Sequence, residues 1–324
     1  MYSAVAVWRR RWYARASRRS KLSRPVISVG NLSVGGSGKT PIVGYIARLL
    51  LAAGERPAIL SRGYGRRRTS DKLTIVSDGA TIRAGVDAAG DEPLMLARAL
   101  PGVAVVVGGS RYHAGLLAER ELGATVHILD DGFQHLQIER DVDLLLLSEE
   151  DLSDRPLPGG RLREPLTAAA VADAALVLAG YSTAVDRVAR TAGIRTAFQV
   201  TRTLGAPRTI ASPSDSVVVP SQSRVFAMAA IARPERFFSD VSGAGWDLVG
   251  SMGFRDHHRF KRSDIKRITK AARTAAAAII LTTEKDAVRL EACELSGLPF
   301  AAVPLVVGIE PADGFRDWLL GRIR

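Results

Sequence analysis

The stretch Ser33-Val34-Gly35-Gly36-Ser37-Gly38-Lys39-Thr40 decides the fold. Ahead of it, residues 25–30 read as a short apolar strand; behind it, residues 42–53 carry apolar side chains at helical spacing and stop at Gly54. A glycine-rich turn between a strand and a helix is where a phosphate-cradling loop must sit. Its backbone N–H groups and the N-terminus of the next helix can hold phosphate oxygens, Lys39 can neutralise the β and γ oxygens, and the Thr40 hydroxyl can ligate magnesium. Ser33 stands where the usual pattern has its first glycine. The reading therefore rests on the flanking strand and helix as much as on the loop, against the alternative of a plain glycine-rich turn with an exposed lysine.

Working outward, further strands are expected at residues 57–60, 73–77, 103–107, 125–129, 143–147 and 174–178, with helices at 92–100 and 112–122. That alternation predicts a P-loop NTPase-like α/β domain whose mostly parallel sheet is covered on both faces, with ligands at the carboxyl ends of its strands. Residues 198–202 and 208–211 flank Gly205-Ala206-Pro207 and read as a two-stranded hinge. Beyond it, strands at 225–229, 246–252, 279–282 and 304–307 alternate with helices near 235–242 and 264–278, forming a second, smaller α/β domain. The expected boundaries are 1–24 for a basic N-terminal helix, 25–195 for the P-loop domain, 196–215 for the hinge and 216–324 for the smaller domain.

Composition agrees with two packed cores: 324 residues, 47% apolar and 24% charged, leave no signature of disorder. The single Cys293 excludes a disulfide framework and a cysteine-based zinc site, and fits a reducing compartment. The longest uncharged apolar run, residues 295–309, is too short for a membrane span and is interrupted by Pro299 and Pro304. A net charge of +12 calls for an anionic partner. Every charged residue before Glu55 is basic, and Arg9, Arg10, Arg11, Arg15, Arg18, Arg19, Lys21 and Arg24 crowd the start of the chain. Val5, Trp8, Trp12 and Ala16 share a helical face, so this arm suits a membrane surface; a solvated tail or a nucleic-acid arm are the alternatives.

Carboxylates mark the chemistry. The strand at 125–129 runs into Asp130-Asp131-Gly132-Phe133-Gln134-His135, which delivers two hard oxygen donors beside the phosphates, a Walker-B-like magnesium site or else an Asp-Asp-Gly turn. In Gly90-Asp91-Glu92-Pro93, Asp91 is either a helix N-cap or the base that accepts the proton of an attacking hydroxyl. Asp256-His257-His258 offers an imidazole to support such a base, with either histidine eligible. Ser61-Arg62-Gly63-Tyr64 opens a basic loop able to grip an anionic acceptor. Residues 157–165, with Arg161 and Arg163, form a second one on the same expected face.

In this order, Val29-Gly30-Asn31-Leu32, Ser61-Arg62-Gly63-Tyr64, Gly90-Asp91-Glu92-Pro93, Asp130-Asp131-Gly132-Phe133-Gln134-His135, Leu162-Arg163-Glu164-Pro165, Pro234-Glu235-Arg236-Phe237-Phe238, Asp256-His257-His258 and Thr283-Glu284-Lys285-Asp286 resemble the tetraacyldisaccharide 4'-kinase family of lipid A biosynthesis, nearly end to end. The resemblance implies ATP and Mg2+ as cosubstrate and cofactor, and a lipid-linked disaccharide 1-phosphate phosphorylated on its 4'-hydroxyl. It also implies an N-terminal helix touching the cytoplasmic face of the inner membrane of a Gram-negative bacterium, as a peripheral or monotopic protein. Carried over by motif, Ser33 to Thr40 bind ATP, Asp91 with His257 and Lys39 are catalytic, and Thr40, Glu92, Asp130 and Asp131 form the metal environment. Arg62, Tyr64, Gln134, His135 and Arg163 lie near the acceptor. No nucleic acid and no obligate protein partner are expected. A partitioning-type ATPase is disfavoured because Val34 stands where such proteins carry lysine, and a GTP-binding switch because Thr283-Glu284-Lys285-Asp286 has the wrong spacing for guanine recognition.

Overall fold

The computed structural model describes residues 2–35, 38–64, 66, 73–179, 182–210 and 216–324. Its strands are β1 Val26–Asn31, β2 Pro57–Ser61, β3 Thr74–Asp78, β4 Ala104–Val107, β5 Val126–Asp130, β6 Val142–Ser148, β7 Ala174–Leu178, β8 Ala197–Leu204, β9 Arg208–Thr209, β10 Arg224–Ala229, β11 Asp247–Gly253, β12 Ile279–Thr283, β13 Phe300–Val303 and β14 Leu305–Glu310. The α-helices are α1 Tyr2–Tyr13, α2 Lys39–Ala52, α3 Val86–Ala89, α4 Asp91–Ala99, α5 Arg111–Leu122, α6 Glu149–Ser153, α7 Ser182–Ala192, α8 Pro234–Gly243, α9 Arg262–Thr274, α10 Glu284–Leu290 and α11 Ala312–Ile323.

Among the described residues the strands form two sheets. The larger has the order β14-β8-β7-β6-β1-β5-β2-β4-β3 and the smaller β11-β10-β12-β13-β9. Only β3, β14 and β9 run antiparallel to their neighbours, each at a sheet edge. The central strands β1, β2 and β4 are buried along their whole length, the pattern of a parallel sheet covered on both faces. Helix α2 supplies part of that cover by turning Ile42, Val43, Ile46, Ala47 and Leu50 inward at helical spacing. Strand β1 sits between β5 and β6, where the order of connection reverses. The crevice at the carboxyl ends of these strands is the place such sheets offer a ligand.

Two segments depart from the sequence reading. The strand expected at 304–307 in the smaller domain is β14, which pairs antiparallel with β8 of the larger sheet over Leu305↔Leu204 to Glu310↔Gln199. Helix α11 follows it there, because Phe315 is fully buried and packs edge-on against Phe198 at 5.0 Å, beside Trp318. The chain thus returns to the larger unit beyond β13. The crossing between units is two-stranded, but its partners are the β8-to-β9 and β13-to-β14 connections, joined where Gly205 N donates to Pro304 O at 2.8 Å. Residues 208–209 pair instead with β13 of the smaller sheet. Part of the expected hinge, residues 211–215, lies outside the described residues.

Candidate active site between the two sheets

A cleft of about 830 Å³ separates the two units. Lys39, Thr40, Arg62, Tyr64, Glu92, Asp130, Asp131, Gln134, His135 and Arg163 line it from the larger unit, and His257 and Lys285 from the smaller. Val34, Gly35 and Gly38 reach its wall, Ser33 is buried beside them, and Gly36 and Ser37 lie outside the described residues.

The phosphate loop is built by local geometry. Gly38, at φ 83°, occupies the left-handed region that glycine tolerates, and α2 starts at the next residue, so Lys39 and Thr40 begin a helix whose N-terminus lies at the cleft. Lys39 Nζ donates to Asn31 Oδ1 at 2.7 Å and lies 3.3 Å from Asp131 Oδ1. Asn31 closes β1 and also accepts from Arg163 Nη2 at 2.6 Å, while Arg163 forks onto both Asp131 oxygens at 2.8 and 2.9 Å. The basic loop at residues 157–165 is therefore folded back onto the phosphate loop: Val34 N donates to Arg161 O and Arg163 N to Leu32 O. Burial opposes ionisation of Asp131, but the bonds from Arg163 and Lys39 outweigh it and hold the carboxyl down to about 2.

Parallel pairing brings Asp130, at the end of β5, level with Val29 of β1. Burial, then the neighbouring charges of Glu92 and Asp131, push its carboxyl well above the usual carboxylate range. Of these three carboxylates, Asp131 is paired with Lys39 and Arg163 and Glu92 with Lys285, while Asp130 accepts from Ser61 Oγ at 3.3 Å. Among the described residues no three His, Cys, Asp or Glu side chains gather closely enough to enclose a metal by themselves. Magnesium takes one or two carboxylates and fills its shell with phosphate oxygens and water. Thr40, Glu92 and the buried Asp130 fit an ion that arrives with a nucleotide, whereas Asp131 already carries two cations.

Asp91 is not an N-cap. Gly90 takes that position at φ 87°, and Asp91 is the first helical residue of α4, 3% exposed. Its Oδ2 lies 3.0 Å from His257 Nδ1 across the boundary between the units, and its Oδ1 is buried without a hydrogen-bond partner. His257 adopts φ 60°, and its ring stands 5.1 Å from that of Tyr64. Burial, then the Lys285 charge, pulls its imidazole below the ordinary histidine value. Of the two histidines left open by the sequence, His258 is engaged elsewhere, with Asp264 at 2.9 Å and stacked on Phe254 at 4.9 Å.

Four participants were not singled out from sequence. Asn31 joins Lys39 to Arg163, and its place at the end of the strand before the loop was the available signal. Lys285, which the sequence offered only within Thr283-Glu284-Lys285-Asp286, bonds to Glu92 at 2.8 Å and Asp256 at 3.2 Å. Arg289 pairs with Asp91. Arg111, 6% exposed, carries a buried Nε without partner, and burial together with Arg62 lowers its guanidinium. Beside it, burial and then the charges of Arg111, Arg9, Arg140 and Arg62 pull His135 down to about 4. This end of the cleft is made to receive negative charge.

Comparison with known proteins agrees with this geometry. The family model described as Tetraacyldisaccharide-1-P 4'-kinase matches residues 1–324. A tetraacyldisaccharide 4'-kinase of Geobacter metallireducens is 42% identical over 289 residues, 88% of this chain and 85% of that relative. One of Geobacter sulfurreducens is 41% identical over 320 residues, 97% of this chain and 88% of the relative. The crystal structure of LpxK from Aquifex aeolicus in complex with ATP superposes with a TM-score of 0.78 at 32% identity, covering 100% of this chain and 96% of that one. The chain belongs to the tetraacyldisaccharide-1-P 4'-kinase family.

Proposed function

We propose that the chain transfers the γ-phosphoryl group of ATP to the 4'-hydroxyl of a tetraacyldisaccharide 1-phosphate, with Lys39 and Thr40 serving the nucleotide and Asp91 serving as base. The observation that carries this reading is Asp91 itself. It is a buried carboxylate with one oxygen held by His257 and the other without a partner, beside the cleft that Lys39 and Thr40 line.

The acceptor oxygen attacks phosphorus in line as the bond to the ADP oxygen breaks, and the hydroxyl proton passes to Asp91 Oδ1. Lys39 leaves Asn31 and Asp131 for the transferring group, whose charge it offsets, and the Asp91–His257 contact keeps the base aimed. Thr40, Glu92, Asp130 and Asp131 would hold magnesium, which would supply further positive charge at the phosphates. Arg62, Tyr64, Gln134, His135 and Arg163 orient the acceptor. The two sheets with their helices act as domains that close over the cleft and exclude water.

Helix α1 presents Val5, Trp8 and Trp12 to solvent, with Trp8 and Trp12 rings 5.4 Å apart, and Arg9 and Arg11 are exposed beside them. This supports contact with an anionic membrane surface at the cytoplasmic face of the inner membrane, where ATP and a lipid-linked acceptor meet. Among the described residues no helix is long and apolar enough to cross a membrane. Removing residues 1–22 is expected to abolish binding to anionic vesicles; unchanged binding refutes the contact.

The deciding assay offers labelled ATP, Mg2+ and purified acceptor to the wild type and to Lys39→Ala. Lys39-dependent 4'-phosphorylated product supports the reading, and ATP turnover with no lipid product overturns it.

A further inference from the structure

Arg289 sits on α10 of the smaller unit with 7% of its side chain exposed. A guanidinium offers five donors in a rigid plane and no acceptor. Here the donors go to groups that fix its position. Nη1 lies 3.3 Å from Asp286 Oδ1 and 3.5 Å from Ala230 O. Asp286 is itself fully buried and anchored, accepting from Ala230 N at 2.9 Å and bonded to Thr283 Oγ1 at 2.8 Å. The fork is thus held from behind, and its other nitrogen, Nη2, pairs with Asp91 Oδ2 of the larger unit.

Nη2 also lies 3.0 Å from His257 Nδ1, which is in turn 3.0 Å from Asp91 Oδ2. Three atoms therefore meet pairwise at hydrogen-bonding distance, and the arginine nitrogen can only donate. Asp91 Oδ2 is the acceptor the two share: Nη2 donates to it, and the Nδ1–H tautomer of His257 donates to it beside the arginine. Burial draws the guanidinium down to about 10, so it remains a cation near neutrality.

We propose that Arg289 is a positioning residue for the phosphoryl transfer: it locks Asp91 Oδ2 and so leaves Oδ1 to face the acceptor hydroxyl. This rests on the reading of Asp91 as base. Because Arg289 and His257 belong to the smaller unit, Asp91 is aimed only while the two units touch, which couples their contact to the chemistry. Lys285, 4.0 Å from Asp91 Oδ2, faces the same oxygen but is committed to Glu92 and Asp256 and does not replace the fork.

The test compares the full-length wild type with Arg289→Ala, Arg289→Lys, Asp91→Ala and the double variant Arg289→Ala with Asp91→Ala. Arg289→Ala should lower kcat about 10²-fold with KM for ATP changed by less than about twofold. Added methylguanidinium should restore part of that loss in Arg289→Ala and none in Asp91→Ala. In the Asp91→Ala background, removing Arg289 should cost nothing further. The proposal is overturned by equal kcat losses from Arg289→Ala in both backgrounds, by a change in KM for ATP alone, or by absent rescue in a variant whose melting temperature is unaltered. Should Arg289→Ala fail to fold, the same cycle run with Arg289→Lys, which keeps charge but loses the fork, decides in the same way. Near-normal kcat in Asp91→Ala instead refutes the base reading itself, whereas a crippled Asp91→Ala beside an active Arg289→Ala sinks this inference alone.

Discussion

Arg10 forks onto Glu164, Nε to Oε2 at 2.8 Å and Nη2 to Oε1 at 3.0 Å, with its guanidinium 4.4 Å from the centroid of the Phe133 ring. One side chain of α1 thereby touches both loops of the site, since Glu164 follows Arg163 and Phe133 follows the Asp130-Asp131 pair. Glu164 is 4% exposed, so the bond is shielded from water, and a charged hydrogen bond of this kind contributes about 1.5–3 kcal/mol. Arg10→Ala is expected to raise KM for acceptor presented in vesicles roughly tenfold and to leave ATP affinity unchanged. Titrating both substrates checks it; an unchanged acceptor KM shows that this contact does not place the helix.

Gly30 passes directly beneath the carboxylate loop. A Cβ there would stand 2.4 Å from Phe133 Cβ and 2.7 Å from Phe133 N, backbone that cannot yield without moving Asp130 and Asp131. Gly30→Ala should destabilise the fold by about 1–3 kcal/mol, seen as a lower melting temperature, and should cost activity beyond that loss because the carboxylates shift. A variant that melts like the wild type with full activity would contradict this account of the loop.

The low titration point of His135 gives stability a sign. The folded state prefers neutral imidazole down to about 4, while the unfolded chain takes a proton near 6.5, so stability is lost as pH falls through that window. Asp286 opposes the trend, since burial raises its carboxyl to about 6 and costs stability as pH rises toward that value from the ordinary carboxylate range. The difference between wild type and His135→Gln isolates the first effect. The wild type should lose melting temperature relative to the variant on going from neutral pH to about 4.5; parallel curves would remove His135 as the cause.

Asp130 holds its proton unusually tightly because burial, Glu92 and Asp131 all oppose its charge. A cation at this site must displace that proton, so Mg2+ affinity in the presence of nucleotide should weaken as pH is lowered from neutrality. Calorimetry in buffers of different ionisation enthalpy should register proton release in the wild type and little in Asp130→Asn. Equal proton release from both would assign it to another group.

How much of this was legible in the chain follows from the range of the forces involved. The phosphate loop, its strand and its helix could be read because glycine at positive φ, an apolar run and helical spacing answer to neighbouring residues. The strand ending in Asp130 and Asp131 could be read for the same reason, as could the alternation that specifies a parallel sheet. The return of β14 and α11 to the larger sheet could not. Residues 304–307 look like any strand, and what draws them away from the smaller sheet is the antiparallel ladder with β8 and the seat of Phe315 against Phe198, made by residues more than a hundred positions apart.

The site divides along the same line. The sequence by itself pointed to residues suited to phosphate, metal and proton chemistry, because that suitability depends on side-chain type and local setting. Only the tertiary structure decided their partners: His257 over His258 for Asp91, Asp131 for Lys39 and Arg163, and Arg289 beside Asp91. Each of these pairings spans a boundary between loops or between units, and charge attraction at 3 Å is selected by how the sheets pack, which no local pattern encodes.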